Sequence, residues 1–209
     1  AAQYLSDEDI ILYVQNWLQA EKAATFLNVL DNPRSTLADI QDSLRRFQLA
    51  SRDGTVLPEA TMKSVRVVLT QRLLTEQMDF VQMAKDQLSV SFFSDLMERT
   101  IMPSHSFGKL GGKAAGMLLA HRILKTQATN QVVEGSSEPG DPLVADVKIP
   151  RTWHIASDAV LDFVAYNDLE EVLHQKYKPM DEVRRDYPNI IRLFKNSSFP
   201  PGLVQGLAS

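Results

Sequence analysis

Through its first hundred residues the sequence returns apolar side chains every three or four positions, a period that helices satisfy and strands do not. Ser6 and Asp9 fit a capping box, with the serine hydroxyl taking the Asp9 amide proton while the acid reaches back to the serine amide. Ile10, Ile11, Val14, Trp17 and Leu18 follow at helical spacing, and Phe26, Leu27 and Leu30 continue the stripe until Asn32-Pro33 stops it. Thr36 and Asp39 repeat the capping pattern ahead of Leu37, Ile40, Leu44 and Phe47, and residues 51–58, SRDGTVLP, read as a turn. Pro58 suits the first turn of a third helix carrying Val65, Val68, Leu69 and Leu73. Phe80, Val81, Ala84 and Leu88, then Phe92, Phe93, Leu96 and Met97, predict one or two more. The simplest arrangement is an antiparallel helical bundle with these stripes as its core.

Composition narrows the function classes. The 209 residues, 44% hydrophobic and 23% charged, suit a folded protein of one large or two small domains. A formal net charge of −4 gives no global attraction to nucleic acid or to an anionic membrane. No apolar run approaches the ~20 residues that cross a bilayer, and the start, AAQYLSDEDI, lacks the basic and apolar sections of a secretory signal, so a cytoplasmic protein is expected. Zero cysteines exclude disulfides, thiolate metal sites and cysteine nucleophiles. His105, His121, His154 and His174 contain no pair at helical ligand spacing, so no histidine metal site is expected. With no glycine-x-serine-x-glycine elbow, a hydrolase triad has no support either. Acids cluster at Asp7, Glu8 and Asp9, at a helix start, and at Asp168, Glu170 and Glu171, most simply a solvated face.

The helical pattern breaks at TIMPSHSFGKLGG, residues 100–112, which places the expected domain boundary between 102 and 103. Ala114, Ala115, Met117, Leu118, Leu119, Ile123 and Leu124 then form a helix with wide apolar coverage, and ATNQVVEGSSEPGD, residues 128–141, reads as an exposed loop. VKIPRTWHIAS, residues 147–157, is the best strand candidate. Ser157 is placed to cap the next helix, with Val160, Leu161, Phe163 and Val164, and a further helix is expected over about 180–195. Leu203-Val204 and Leu207-Ala208 begin a helical pattern that ends without a stop signal, as in a chain cut from something longer.

The segment most suggestive of chemistry is KLGGKAAG, residues 109–116. A helix N-terminus has unpaired amide protons and partial positive charge, glycines let an anion come close, and a lysine adds a full charge. Phe107 stands where a Walker A loop needs its first glycine, and Ala114 where it needs a hydroxyl. No strand plainly precedes it, which argues against a dinucleotide fingerprint.

Two segments taken together resemble a known family. LGGKAAGMLLAHRIL resembles the opening motif of the nucleotide-binding domain shared by phosphoenolpyruvate synthase and pyruvate phosphate dikinase, and KIPRTWHIASDAVLDFVAYN resembles the segment that follows it there. Ile149-Pro150 takes the place of the family's valine-proline, Trp153 that of its phenylalanine, and Ala156-Ser157 that of its polar pair. The resemblance implies the first half of an ATP-grasp-type fold, hence a mainly helical α+β chain: a helical domain at 1–102 and a partial nucleotide-binding domain at 103–209. It implies ATP and Mg²⁺ as cofactors, with the metal ligands outside this chain, and pyruvate or another phosphoryl acceptor as the further substrate. The phosphate-contacting lysine carries over to Lys113, with Gly111 and Gly112 shaping the loop. Ala114 in place of a common glycine, Thr152 in place of the glycine before the aromatic residue, and the polar stretch after the helix depart from the family pattern. The family's phosphorylated histidine and phosphoenolpyruvate barrel have no counterpart before Ser209, so no catalytic residue is assigned and phosphotransfer needs more than these residues. The rival expectation is a nucleotide sensor or scaffold whose helical half binds a protein partner.

Overall fold

Local chemistry sets the first two helices in a computed structural model that describes residues 6–51, 57–133 and 150–208. Helix α1 spans Asp7–Asp31, and its capping box is formed: the Asp9 N–H donates to Ser6 Oγ at 3.1 Å and the Ser6 N–H to the Asp9 carboxylate at 3.1 Å. Helix α2, Leu37–Ser51, starts the same way, with the Thr36 N–H donating to Asp39 at 2.8 Å and the Asp39 N–H to Thr36 Oγ1 at 3.2 Å. Hydrogen bonding from these threonine and serine groups holds the Asp39 and Asp9 carboxyls below their ordinary value. Three helices follow, α3 Glu59–Leu73, α4 Met78–Gln87 and α5 Val90–Glu98. The turn expected at 51–58 lies mostly outside the described residues.

The core of this half is built from the expected stripes. Phe26 stacks on Phe47 with ring centroids 4.9 Å apart, and Ile40, Leu44, Val65, Leu69, Leu73 and Phe93 are fully buried around them. The first four turns of α1 depart from expectation. Ile11, Val14 and Leu18 face solvent, and Trp17 is 64% exposed, because α1 enters the buried core only from Ala23 onward. Periodicity reveals that a helix has an apolar face, but the partner that covers the face is a tertiary matter.

Two short strands tie the halves of the chain together. Strand β1, Thr100–Ile101, pairs in parallel with β2, His154–Ile155, so that Thr100 faces His154 and Ile101 faces Ile155. Of the long strand expected over 147–157, residues 147–149 lie outside the description and only these two residues of the remainder are extended in a ladder. Between them runs helix α6, Gly112–Val133. It covers residues 128–133, expected as loop, since no glycine or proline stands between Gly116 and Gly135. After β2 come α7 Ala159–Tyr166, a 3-10 turn at Glu170–Tyr177, α8 Met180–Asn196 and α9 Pro201–Ala208. The helix expected over 180–195 is α8. The fold is therefore mainly helical α+β, with one two-stranded parallel sheet among the described residues.

Helix α7 ends in a Schellman motif. The Leu169 N–H donates to the Val164 carbonyl at 2.9 Å and the Asp168 N–H to Ala165 at 3.3 Å, which requires φ of +53° at Asp168. Leu169 then buries against Phe163 and Val164. Asp168, expected only as part of a solvated face, is exposed but also carries this left-handed turn.

The loop before α6 is sewn to the helical half. Leu110 N–H donates to the Leu73 carbonyl at 2.9 Å and Leu37 N–H to the Ser106 carbonyl at 2.7 Å. Arg72 bridges the carbonyls of Ser35, at 2.7 Å, and Phe107, at 3.2 Å. Leu110, Ala115, Leu119 and Ala156 join the same apolar core as Phe26 and Leu69, so residues on both sides of position 102 share it.

Candidate phosphate-binding segment

Residues 106–113 form one continuous segment with two different edges. On the inner edge Asp158 is clamped. Its carboxylate accepts from Ser106 Oγ at 2.7 Å, from the Phe107 N–H at 2.7 Å and from the Gly108 N–H at 3.0 Å. Successive backbone amides converging on a carboxylate make the kind of nest that holds an anion, and here the anion is the chain's own. The approach is so close that a Cβ on Gly108 would lie 2.5 Å from Asp158 Oδ1 and 2.9 Å from its backbone nitrogen. Glycine is the residue that fits there.

Beside the clamp the two chain segments exchange hydrogen bonds. Lys109 N–H donates to Ser157 Oγ at 3.0 Å, and Ser157 N–H donates to the Lys109 carbonyl at 3.0 Å. Ser157 thus does not cap α7, as its position suggested; Asp158 occupies the N-cap position without a side-chain cap bond, because its oxygens are engaged across the chain. The Lys109 ammonium pairs with Glu76, whose carboxyl is held below its ordinary range first by that hydrogen bond and then by the lysine charge.

The outer edge is the reverse. Gly111, Gly112 and Lys113 are exposed at the start of α6, whose first turn has no acidic residue. A Cβ on Gly111 or Gly112 would meet nothing within 4 Å, and neither has the left-handed φ that would call for glycine. Among the described residues, the amides of Gly112, Lys113 and Ala114 have no hydrogen-bond partner and Lys113 has no ion pair. Ala114 turns inward and packs against the core, which anchors the helix start. Unpaired amides, an unshielded helix N-terminus and a free ammonium together are suited to hold an oxyanion.

Residues 108–209 match the family model described as pyruvate phosphate dikinase, AMP/ATP-binding domain. This segment is similar to that domain over 102 of the chain's 209 residues. The match begins at the clamp's Gly108, includes both segments that the resemblance rested on, and leaves residues 1–107 unassigned. No curated protein and no solved structure matches the chain. The sequence-derived residues Gly111, Gly112 and Lys113 lie at the entrance of this domain's first long helix. Sequence reasoning passed over Ser106, Gly108 and Asp158. Their signal was an acidic residue immediately after the polar pair, but its partners are 50 to 52 residues away in the chain. Among the described residues no group of three histidine, aspartate or glutamate side chains could hold a metal, and no helix is long and apolar enough to cross a membrane.

Proposed function

We propose that Gly111, Gly112 and Lys113 form one wall of an ATP phosphate site in an ATP-dependent phosphotransferase resembling phosphoenolpyruvate synthase or pyruvate phosphate dikinase. The observation that carries this reading is a pair of exposed glycines at the start of α6 with open space around both, beside a lysine with no ion pair among the described residues. The match of residues 108–209 to an AMP/ATP-binding domain model supports the choice of ligand. The residues fit a phosphate edge: amide donors from the first turn of α6, close approach over the glycines, and the Lys113 ammonium to neutralise charge. ATP would supply the phosphoryl group, with Mg²⁺ held by residues outside the described ones. This segment's part is to bind and orient the phosphates. The remaining structure is the first part of an ATP-grasp-type domain, residues 103–209, resting on a helical platform, residues 1–102. Pyruvate or another acceptor would take the phosphoryl group elsewhere in the full-length protein.

A titration of Mg-ATP into the full-length protein tests the assignment. Lys113→Ala should weaken binding about tenfold or more while leaving the melting temperature unchanged. Equal affinity in the variant would remove Lys113 from the site. One observation favours a role for the helical half beyond support: Ile11, Val14, Trp17 and Leu18 form an exposed apolar stripe on α1, suited to a protein partner. A sensor or scaffold built on this stripe would bind ATP without phosphorylating any residue, which a labelled-phosphate transfer assay distinguishes.

A further inference from the structure

Helix α1 has apolar residues on two faces, and the bundle covers one of them. Ala23, Phe26 and Leu30 enter the core, whereas Ile11, Val14 and Leu18 are exposed and lie about 120° round the helix from that buried face, at about 100° per residue. Tyr13 and Trp17, both exposed, widen the exposed row on one side. Beyond Leu18 the row runs into a groove of about 460 Å³ between α1 and α2, lined by Leu18, Lys22 and Thr25 from α1 and by Ser43 and Arg46 from α2. The two ends of the row carry opposite charges: Asp7 stands four residues before Ile11, and Lys22 four residues after Leu18. Asp7, Lys22 and Arg46 have no ion pair among the described residues. Glu21 is turned about 100° away from Lys22, to the side of the row.

Asp7, Ile11, Val14, Leu18 and Lys22 form a strip that complements itself when reversed. Aligned antiparallel about a point between Val14 and Gln15, Asp7 of one copy falls level with Lys22 of another, and Ile11 with Leu18. From this symmetry we propose that the exposed face of α1 pairs antiparallel with the same face of a second copy of the chain. A parallel pair would set acid beside acid and base beside base, and an unrelated partner would have no reason to match the strip's own reversed charge order. Arg46, in the same groove as Lys22, adds a second cation beside the acidic first turn of the other copy. The register also keeps the bundles apart. Ala23, where α1 enters its core, is level with Ser6 of the other copy, so each core begins where the other copy's helix ends. Ile11, Tyr13, Val14, Trp17 and Leu18 each leave on the order of 100 Å² in water, so pairing removes roughly 500 Å² per copy and about 1,000 Å² in all, the size at which specific interfaces begin. The proposal does not depend on the ATP reading.

The test is sedimentation velocity of the 209-residue chain at about 1 to 200 µM. A reversible dimer with a Kd on the order of 10 µM is expected. Trp17→Asp puts a charge from each copy into the seam and should leave the chain monomeric throughout that range. Lys22→Glu, felt twice in a two-fold pair, should weaken the dimer about tenfold. Asp7→Lys combined with Lys22→Glu reverses both ends of the strip and should restore the affinity to within about threefold of the parent. Trp17 and Lys22 are exposed, so these variants should keep the parent's circular dichroism. The chain has no cysteine, which opens an independent check of the register. Mild oxidation of a mixture of the Asp7→Cys and Lys22→Cys proteins should give chiefly the mixed disulfide-linked dimer. A chain that stays monomeric to about 200 µM, association that persists in Trp17→Asp, a double reversal that restores nothing, or preferential linkage of Asp7→Cys to itself would each overturn the proposal.

Discussion

The two edges of residues 106–113 contain the same ingredients and use them in opposite ways. At the inner edge a glycine, two backbone amides and a serine hydroxyl close upon Asp158, and Lys109 is neutralised by Glu76. At the outer edge two glycines, free amides and Lys113 close upon nothing among the described residues. The difference separates glycine as a structural necessity from glycine as an opening. At Gly108 the neighbouring atoms explain the residue. At Gly111 and Gly112 no neighbouring atom excludes a larger side chain. A motif quoted as a single string is therefore two devices: an anchor that fixes the loop with the chain's own carboxylate, and an open edge, which we propose receives another anion.

Mutations should separate the edges sharply. Asp158→Ala leaves a hydroxyl and two amides facing each other without an acceptor and should cost about 3 kcal/mol by denaturant unfolding; a cost below about 1 kcal/mol would mean that the clamp does not hold the loop. Gly108→Ala pushes a methyl group into the carboxylate and should cost about 2 kcal/mol, whereas Gly111→Ala and Gly112→Ala should stay within about 0.5 kcal/mol of the parent. Equal costs at the three glycines would erase the distinction between the edges. Asp168→Gly offers a control away from both. It removes a Cβ from a backbone at φ of +53° and should raise stability by about 0.5–1 kcal/mol, seen as a higher melting temperature.

The smallest effect concerns pH. Glu76 has its carboxyl lowered from 4.5 by Lys109, so the folded state holds its proton less readily than the unfolded chain does. Its contribution is full above about 4.5 and is lost as the pH falls through the lower folded value. Both groups are at the surface, so the pair is screened. Glu76→Gln should slightly flatten the fall in stability on the acid side and leave the neutral plateau in place. An unchanged acid limb would show that the lysine is not tied there.

Features that depend on a few adjacent residues were legible in the sequence. The capping pairs Ser6–Asp9 and Thr36–Asp39 are both formed because a cap is decided within four residues. The helices of the first hundred residues and the core around Phe26, Leu44 and Leu69 followed from spacing alone. What could not be read was set by distant partners. Trp17 has the same helical spacing as Phe26, yet only the latter meets α2. Ser157 has the chemistry of a cap and is taken by Lys109, 48 residues away. The left-handed turn at Asp168 is occupied by a residue that tolerates it less well than glycine, so the usual marker was missing. The glycine-lysine segment stood out in sequence, but its division into an anchored and an open edge depends on contacts with residues 157–158 that spacing does not reveal.

The central claim is that the free edge awaits a phosphate while the anchored edge already holds its anion. The most direct test is one titration of Mg-ATP into the full-length protein and its Lys113→Ala variant, with a thermal melt of each. The account predicts identical melting temperatures and at least about a tenfold loss of ATP affinity in the variant. Unchanged affinity, or a loss that merely follows a lowered melting temperature, would contradict it.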